Sequence, residues 1–166
     1  MPRIVIRTGR KGLVLKQLIP RDAPQYFALI ESDRPHLSRH MNGVAQKYPT
    51  EASVLESIVR PKNSRKLRFG IWDGATFVGS VNLTPLGKGR CELGGWTGKL
   101  FCNKGYASTA WDALARYALA HLGFTRVIAK THRRNFASQA TLKKAGFIFV
   151  RRFSFWHYFA LTAKDC

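Results

Sequence analysis

The stretch Cys102-Asn103-Lys104-Gly105-Tyr106-Ala107-Ser108 lies between a weak strand pattern and the longest helical pattern in the chain. A helix start exposes backbone N–H groups that lack intrahelical partners and carries a partial positive charge. Small residues there let a phosphate approach the backbone closely. Gly105 and Ala107 are small, Lys104 adds a charge and Ser108 adds a hydroxyl. The chemistry implied is anion binding, without the G-x-x-x-x-G-K-[ST] pattern of a nucleotide P-loop; a glycine that merely starts a helix is the alternative. Upstream, Glu92 is the only acidic residue between Asp73 and Asp112. A carboxylate so placed can take a proton from an attacking nucleophile, directly or through water, or stand as a solvated strand charge beside a Lys or Arg.

The three cysteines, Cys91, Cys102 and Cys166, are odd in number and have no C-x-x-C spacing. That pattern argues against a disulfide framework and a zinc site, and for reduced thiols in a cytoplasmic protein. Nothing near Cys102 in sequence marks a base that would make it a nucleophile. His36 and His40, four apart, can share a helix face but lack a third ligand, so no metal is expected. Lys plus Arg total 28 against 9 Asp plus Glu, a formal net charge of +19. Such a surface attracts nucleic acid, acidic proteins and phosphorylated cofactors and repels polycations. The basic residues are spread along the chain, so a solvated basic surface is the plain reading, with nucleic-acid contact possible but not required. The N-terminus lacks a signal-peptide core, and no apolar run is long enough to span a bilayer.

These residues must be positioned by elements legible in the apolar pattern. Arg3 to Arg7 and Leu13 to Leu18 read as strands joined by the Gly9–Gly12 turn. Asp22 suits the N-cap of a helix containing Tyr26, Phe27, Leu29 and Ile30. A short helical stretch over His36 to His40 follows, then a helix capped by Thr50 and ended by Pro61. Leu67 to Trp72 and Thr76 to Leu83 flank Asp73-Gly74, a hairpin signal. Cys91 to Thr97 is a strand in which Gly94 and Gly95 suggest a bulge or a close backbone approach. Ala107, Ala110, Trp111, Leu114, Ala118 and Leu122 recur at helical spacing, with Gly123 as the stop. Val127 to Lys130 is a buried strand, Asn135 caps a helix that stops at Gly146, and Phe147 to Val150 and Phe155 to Leu161 close the chain as strands. The order is a mixed α/β layer on one sheet. The length of 166 residues fits one domain, 1–166.

With these blocks in order, the chain resembles the GNAT acetyltransferases. ELGGWTGKLFCNKGYASTAWDALARYA is similar to their acetyl-CoA-binding core, and NFASQATLKKAGF to the helix that completes it. ALIESDRPHLSRHM and FGIWDGATFVGSVNL resemble the branch that acetylates ribosomal-protein N-termini. The resemblance implies the GNAT fold: a single mixed central sheet flanked by helices, with an acetyl-CoA cleft between two splayed central strands. It implies a pantetheine arm against Gly94, Gly95, Trp96 and Thr97. It places a pyrophosphate on the amides of Cys102, Asn103, Lys104, Gly105, Tyr106 and Ala107, with Ser108 adjoining. Glu92 falls where the family places its general base. Ser138 matches a serine of the ribosomal-protein branch whose hydroxyl can donate to the departing sulfur, or it only supports the helix start. Asn135 caps that helix, bonds pantetheine, or does both. Glu31, Asp33 and His36 lie in a region that forms one wall of the acceptor site. Two positions depart from the pattern: Cys102 stands where Gln or Arg is usual, and Leu142 where many members carry a tyrosine that serves as general acid.

Three functions stay open at this point. The first is acetyl transfer from acetyl-CoA to a protein N-terminus, the acceptor being acidic or ribosomal. The second is transfer to a small-molecule amine. The third is a non-catalytic module on the same fold that binds RNA or protein. The closing aromatics Phe153, Phe155, Trp156, Tyr158 and Phe159, interleaved with Arg151, Arg152 and His157, are expected to be core packing or a homodimer contact, with base stacking as the alternative.

Overall fold

The computed structural model describes residues 2–39 and 43–166. The alternating runs form β1 (Val5–Arg7) and β2 (Leu13–Gln17), joined across Gly12, whose φ of +82° suits only glycine. Asp22 precedes α1 (Ala23–Ser32), but its carboxylate does not cap that helix. It turns back to accept the Ile19 amide at 3.0 Å and to pair with Arg3. Then come α2 (Arg34–Leu37), α3 (Val44–Lys47) and α4 (Glu51–Val59). The helix expected over His36 to His40 thus ends at Leu37, and His40 lies outside the described residues. Thr50 caps α4 as expected: its hydroxyl accepts the Ser53 amide and the Ser53 hydroxyl accepts the Thr50 amide, both at 3.1 Å.

The hairpin of β3 (Leu67–Asp73) and β4 (Thr76–Gly87) turns at Asp73-Gly74. Strand β4 runs beyond the expected Leu83 because the next turn, Lys88-Gly89, has two left-handed residues, φ +53° and +71°. That turn lets β4 pair with β5 (Arg90–Thr97) down to Gly87↔Arg90. Helix α5 (Tyr106–His121) follows, then β6 (Arg126–His132), α6 (Phe136–Lys144), β7 (Ile148–Phe153) and β8 (Trp156–Thr162).

All eight strands form one sheet in the order β1-β2-β3-β4-β5-β6-β8-β7. The β5–β6 pair is parallel and the others are antiparallel. One face packs Leu15, Phe69, Leu83, Leu93, Val127 and Phe159 against Trp111, Leu114 and Ala118 of α5 and Leu142 of α6. The other face packs Trp72, Phe77 and Trp96 under Tyr26 and Ile30 of α1 and Val54 of α4. Tyr26 meets the Trp96 ring edge-on at 5.4 Å, an arrangement aromatic rings favour.

At the chain's end, the expected core packing holds for Phe159 and does not hold for Phe153 and Phe155. Strand β7 is an edge strand exposed along its whole length, Phe153 at 62%, and Phe155 in the turn to β8 is 55% exposed. Strand β8 takes the inner place between β6 and β7 and sends Phe159 and Leu161 into the core under α5 and α6, while Ala160 between them is buried on the other face.

Candidate functional site: the cleft between two central strands

The β5–β6 ladder holds only three rungs, Arg90↔Arg126, Cys91↔Val127 and Glu92↔Ile128. Both strands run on, to Thr97 and His132, while β5 stays paired with β4 up to Gly79↔Thr97. From Leu93 onward, the β5 peptide groups that face β6 therefore have no ladder partner. An open strand edge in the middle of a sheet can pair with an extended ligand as a further strand would. The splay expected from the sequence is present, and Glu92 sits on its last closed rung.

Along β5, side chains alternate faces. Glu92, Gly94 and Trp96 share the α1 side; Leu93 and Gly95 face α5. Gly94 has room, since a Cβ there would meet only Asn82 at an ordinary 3.5 Å. Gly95 is constrained from the other side: a Cβ would lie 2.7 Å from the Ser80 carbonyl and 2.9 Å from the Trp111 ring. Its small size seats α5 against the sheet. Trp96 is buried, so only its backbone faces the cleft.

Glu92 is half-buried, and none of the four ion pairs among the described residues includes it. Its carboxylate is felt at Lys66, which sequence reasoning did not pick out. Burial pushes the Lys66 ammonium below its usual range, Lys47 and Arg68 push the same way, and Glu92 opposes them.

The anion-binding stretch leads into α5. A 3₁₀ turn over Lys99–Phe101 precedes it. Asn103 and Gly105 take φ of +58° and +81°, which turns the chain sharply before the helix. The first i to i−4 bond of this start is Thr109 N to Gly105 O at 3.1 Å, so the amides just before it have no such partner, but the Cys102 amide, expected among the phosphate ligands, already donates to the Lys99 carbonyl at 3.3 Å. A Cβ at Gly105 would meet nothing nearer than Arg10 at 3.9 Å, which leaves that backbone open to a phosphate. The side chains of Tyr106 and Ser108 are buried and turned inward. Tyr106 donates to Asp73 at 2.6 Å, and Ser108 donates to the Gly105 carbonyl at 3.3 Å. The Asp73 carboxylate that accepts this bond raises the Tyr106 phenol above its ordinary range.

Arg10, from the β1–β2 turn, clasps the same loop. It donates to the Lys104 carbonyl at 2.7 Å and lies 4.0 Å over the Tyr106 ring. Only its position before a turn glycine was visible in sequence, and its loop partners lie about a hundred residues away.

Cys102 has unexpected company. Its Sγ lies 3.5 Å from His36 Nε2 and 3.7 Å from Thr97 Oγ1, and it donates toward the Gly98 carbonyl at 3.5 Å. No neighbour in sequence marks a base for this thiol, but α2 brings His36 to it from 66 residues away. Asp33 joins the same corner by accepting the Lys99 amide at 2.7 Å. Glu31 does not; it pairs with Arg34 at 2.7 Å on the surface.

Across the cleft, α6 begins beyond the end of β6. Asn135 Oδ1 accepts the Ser138 amide at 3.1 Å and so caps the helix. The Ser138 hydroxyl is not the cap, and Ser138 is half-buried. Leu142, 1% exposed, belongs to the core and offers no acid. Among the described residues, no group of three or more His, Cys, Asp or Glu is placed to hold a metal ion. No helix among them is long and apolar enough to cross a membrane.

With this geometry in view, comparisons define the class. Residues 12–148 match the acetyltransferase (GNAT) domain, and the chain belongs to that family. The chain is 32% identical over 100 residues to the uncharacterized N-acetyltransferase YjdG of Bacillus subtilis. That match spans 60% of this chain and 57% of the relative, less than two thirds of its length. RimL, a ribosomal L7/L12 α-N-protein acetyltransferase solved with coenzyme A, superposes with a TM-score of 0.85 at 13% identity, over 98% of this chain and 100% of that one. Mycobacterium smegmatis RimJ, solved with CoA-disulfide, gives 0.79 at 20% identity, over 98% and 88%. At these identities the two structures establish the shared fold.

Proposed function

We propose that this protein is an acetyl-CoA-dependent N-acetyltransferase whose acceptor is the terminal amine of an acidic polypeptide. The observation that carries the reading is the splay that opens at Glu92↔Ile128, with an open strand edge along one side and a loop of free amides at one end. A flexible arm fits the first and a pyrophosphate the second. The name of RimL, an α-N-protein acetyltransferase, supports the choice of acceptor, as does the net charge of +19, which favours acidic chains and disfavours polyamines.

Acetyl-CoA supplies an acetyl thioester. The chain's own residues bind and orient it: the β5 edge from Leu93 to Thr97 aligns the arm, and the amides from Asn103 to Ala107 hold the phosphates. Glu92 removes a proton from the acceptor ammonium, freeing the lone pair that attacks the thioester carbonyl. The Ser138 hydroxyl donates to the leaving sulfur. Asn135 fixes the helix that carries Ser138. Lys99 and Lys104 supply the charge that Cys102 does not. Asp33 and His36 brace the loop from the acceptor side.

The test is an acceptor panel, read as free thiol released and as acetyl mass gained. It contains peptides with free N-termini and acidic, neutral or basic sequences, together with a polyamine. The acidic peptide should exceed the basic one by about tenfold in kcat/KM at low salt, with the gap closing as salt screens the field. Acetylation of the polyamine alone would make the acceptor a small amine. No acceptor at all, despite bound CoA, would leave a binding module.

A further inference from the structure

Beyond the cleft the sheet continues through β6, β8 and β7, where its two faces differ. Ala129, Thr131, Phe159 and Leu161 are buried, the latter two deep in the core. Strand alternation sends the intervening residues to the opposite face. The registers set them in rows: Ile128↔Ala160↔Ile148, then Lys130↔Tyr158↔Arg151, then His132↔Trp156 with Trp156↔Phe153. The second and third rows alternate cations with rings. Lys130 lies 5.4 Å over Trp156, and Arg151 lies 5.0 Å over Tyr158 and 5.8 Å over Phe153. At the hairpin tip, Phe155 stacks on His132 at 6.2 Å beneath Arg133 at 5.2 Å. Arg134 follows Arg133 at this tip and is exposed. No Asp or Glu occurs between Asp112 and Asp165, and the nearest acid across the sheet is Glu92 beside Ile128.

We infer that this face binds a short stretch of single-stranded RNA, stacking bases on Phe153, Phe155 and Trp156 and pairing phosphates with Lys130, Arg133 and Arg151. Three features choose this occupant. Exposed rings on a sheet stack unpaired bases regardless of sequence, and RNA presents such bases in loops and bulges. Successive rows on one face lie about 6.8 Å apart, a spacing an extended strand can follow with one nucleotide per row. A second copy of this chain set face to face would oppose Arg151, Arg133 and Lys130 to themselves with no carboxylate between them. An acidic peptide would answer the charges but leave the rings without flat partners. This face adjoins the acceptor side of the cleft, since Glu92 pairs with Ile128 of its first row, but the binding tested below needs no acetyl transfer.

Fluorescence anisotropy of the whole protein with a labelled, mixed-sequence RNA of about ten nucleotides tests it. Binding should weaken as salt rises, with a log–log slope of about −0.7 for each phosphate contact. Phe153→Ala with Phe155→Ala, both at exposed positions, should weaken binding about tenfold at an unchanged salt slope and an unchanged melting temperature. Arg133→Ala with Arg151→Ala should instead flatten the slope by about 1.4. Arg60→Ala with Lys62→Ala, on the helical side, should change little. Any of four results overturns the inference: no salt-sensitive binding, a duplex bound as tightly, single-stranded DNA bound as tightly, or no effect of the aromatic double variant. Sedimentation covers the remaining occupant: a dimer that Phe153→Ala with Phe155→Ala dissolves would make this face a self-interface and remove RNA from it.

Discussion

Glu92 and Cys102 mark the two ends of the cleft, and each can be tested alone. Glu92→Gln keeps the shape and removes the proton acceptor. It should lower kcat at least about 100-fold near neutral pH while CoA binding stays within a factor of about two. An equal loss of binding would make Glu92 a structural charge. The cysteines divide by environment. Burial pushes the Cys91 thiol up to about 12, so it stays protonated and inert. Mass spectrometry after brief alkylation of the folded protein should find Cys102 and Cys166 modified and Cys91 intact, with CoA shielding Cys102. Cys91 labelled as fast as Cys166 would contradict the packing. The loop around Cys102 was legible because its signals are local: glycine, a small residue and a helix start. Its contact with His36 was not, because α2 and the loop meet only after the sheet forms. Lys66 was hidden for the same reason, as its position relative to Glu92 depends on strands that are not adjacent in sequence.

At the scale of elements, the cleft depends on how α5 is seated and how its loop is tied. Arg10 bridges the β1–β2 turn to the loop, and Asp73 at the end of β3 holds Tyr106. Arg10→Ala should weaken CoA binding about fivefold to twentyfold, roughly 1–2 kcal/mol, as expected for losing a charge-assisted hydrogen bond and a cation–π contact. The melting temperature should change little, since Arg10 contributes to no part of the core. A large thermal shift with unchanged affinity would contradict the role given to this contact. The strands and long helix were legible from periodicity because each buries a regular face. The ends were less so. Strand β4 overran its expected stop through a left-handed turn at Lys88-Gly89, and the apolar residues of β7 looked like core in a sequence that does not say which strand lies at the edge.

At the scale of the whole molecule, the charge is uneven in a way that matters. The acids Glu31, Asp33 and Glu92 precede α5, while the chain from α5 onward, which holds β6, β7 and β8, carries only Asp112 and Asp165. Acceptor selection by this field should fade with ionic strength, whereas the cleft itself, built from backbone amides and a strand edge, should retain much of its affinity for CoA. The family and the mixed α/β architecture were readable from the order of blocks along the chain. Which face of the last three strands stays uncovered was not, because it depends on where α5 and α6 settle.

The central claim is that the splay between β5 and β6 holds acetyl-CoA, and calorimetric titration of the folded protein with acetyl-CoA and with CoA tests it most directly. The account predicts saturable one-to-one binding of both, micromolar or tighter, equivalent to about 8 kcal/mol or more. No binding heat from either ligand across several temperatures, with folding verified by circular dichroism, would contradict it.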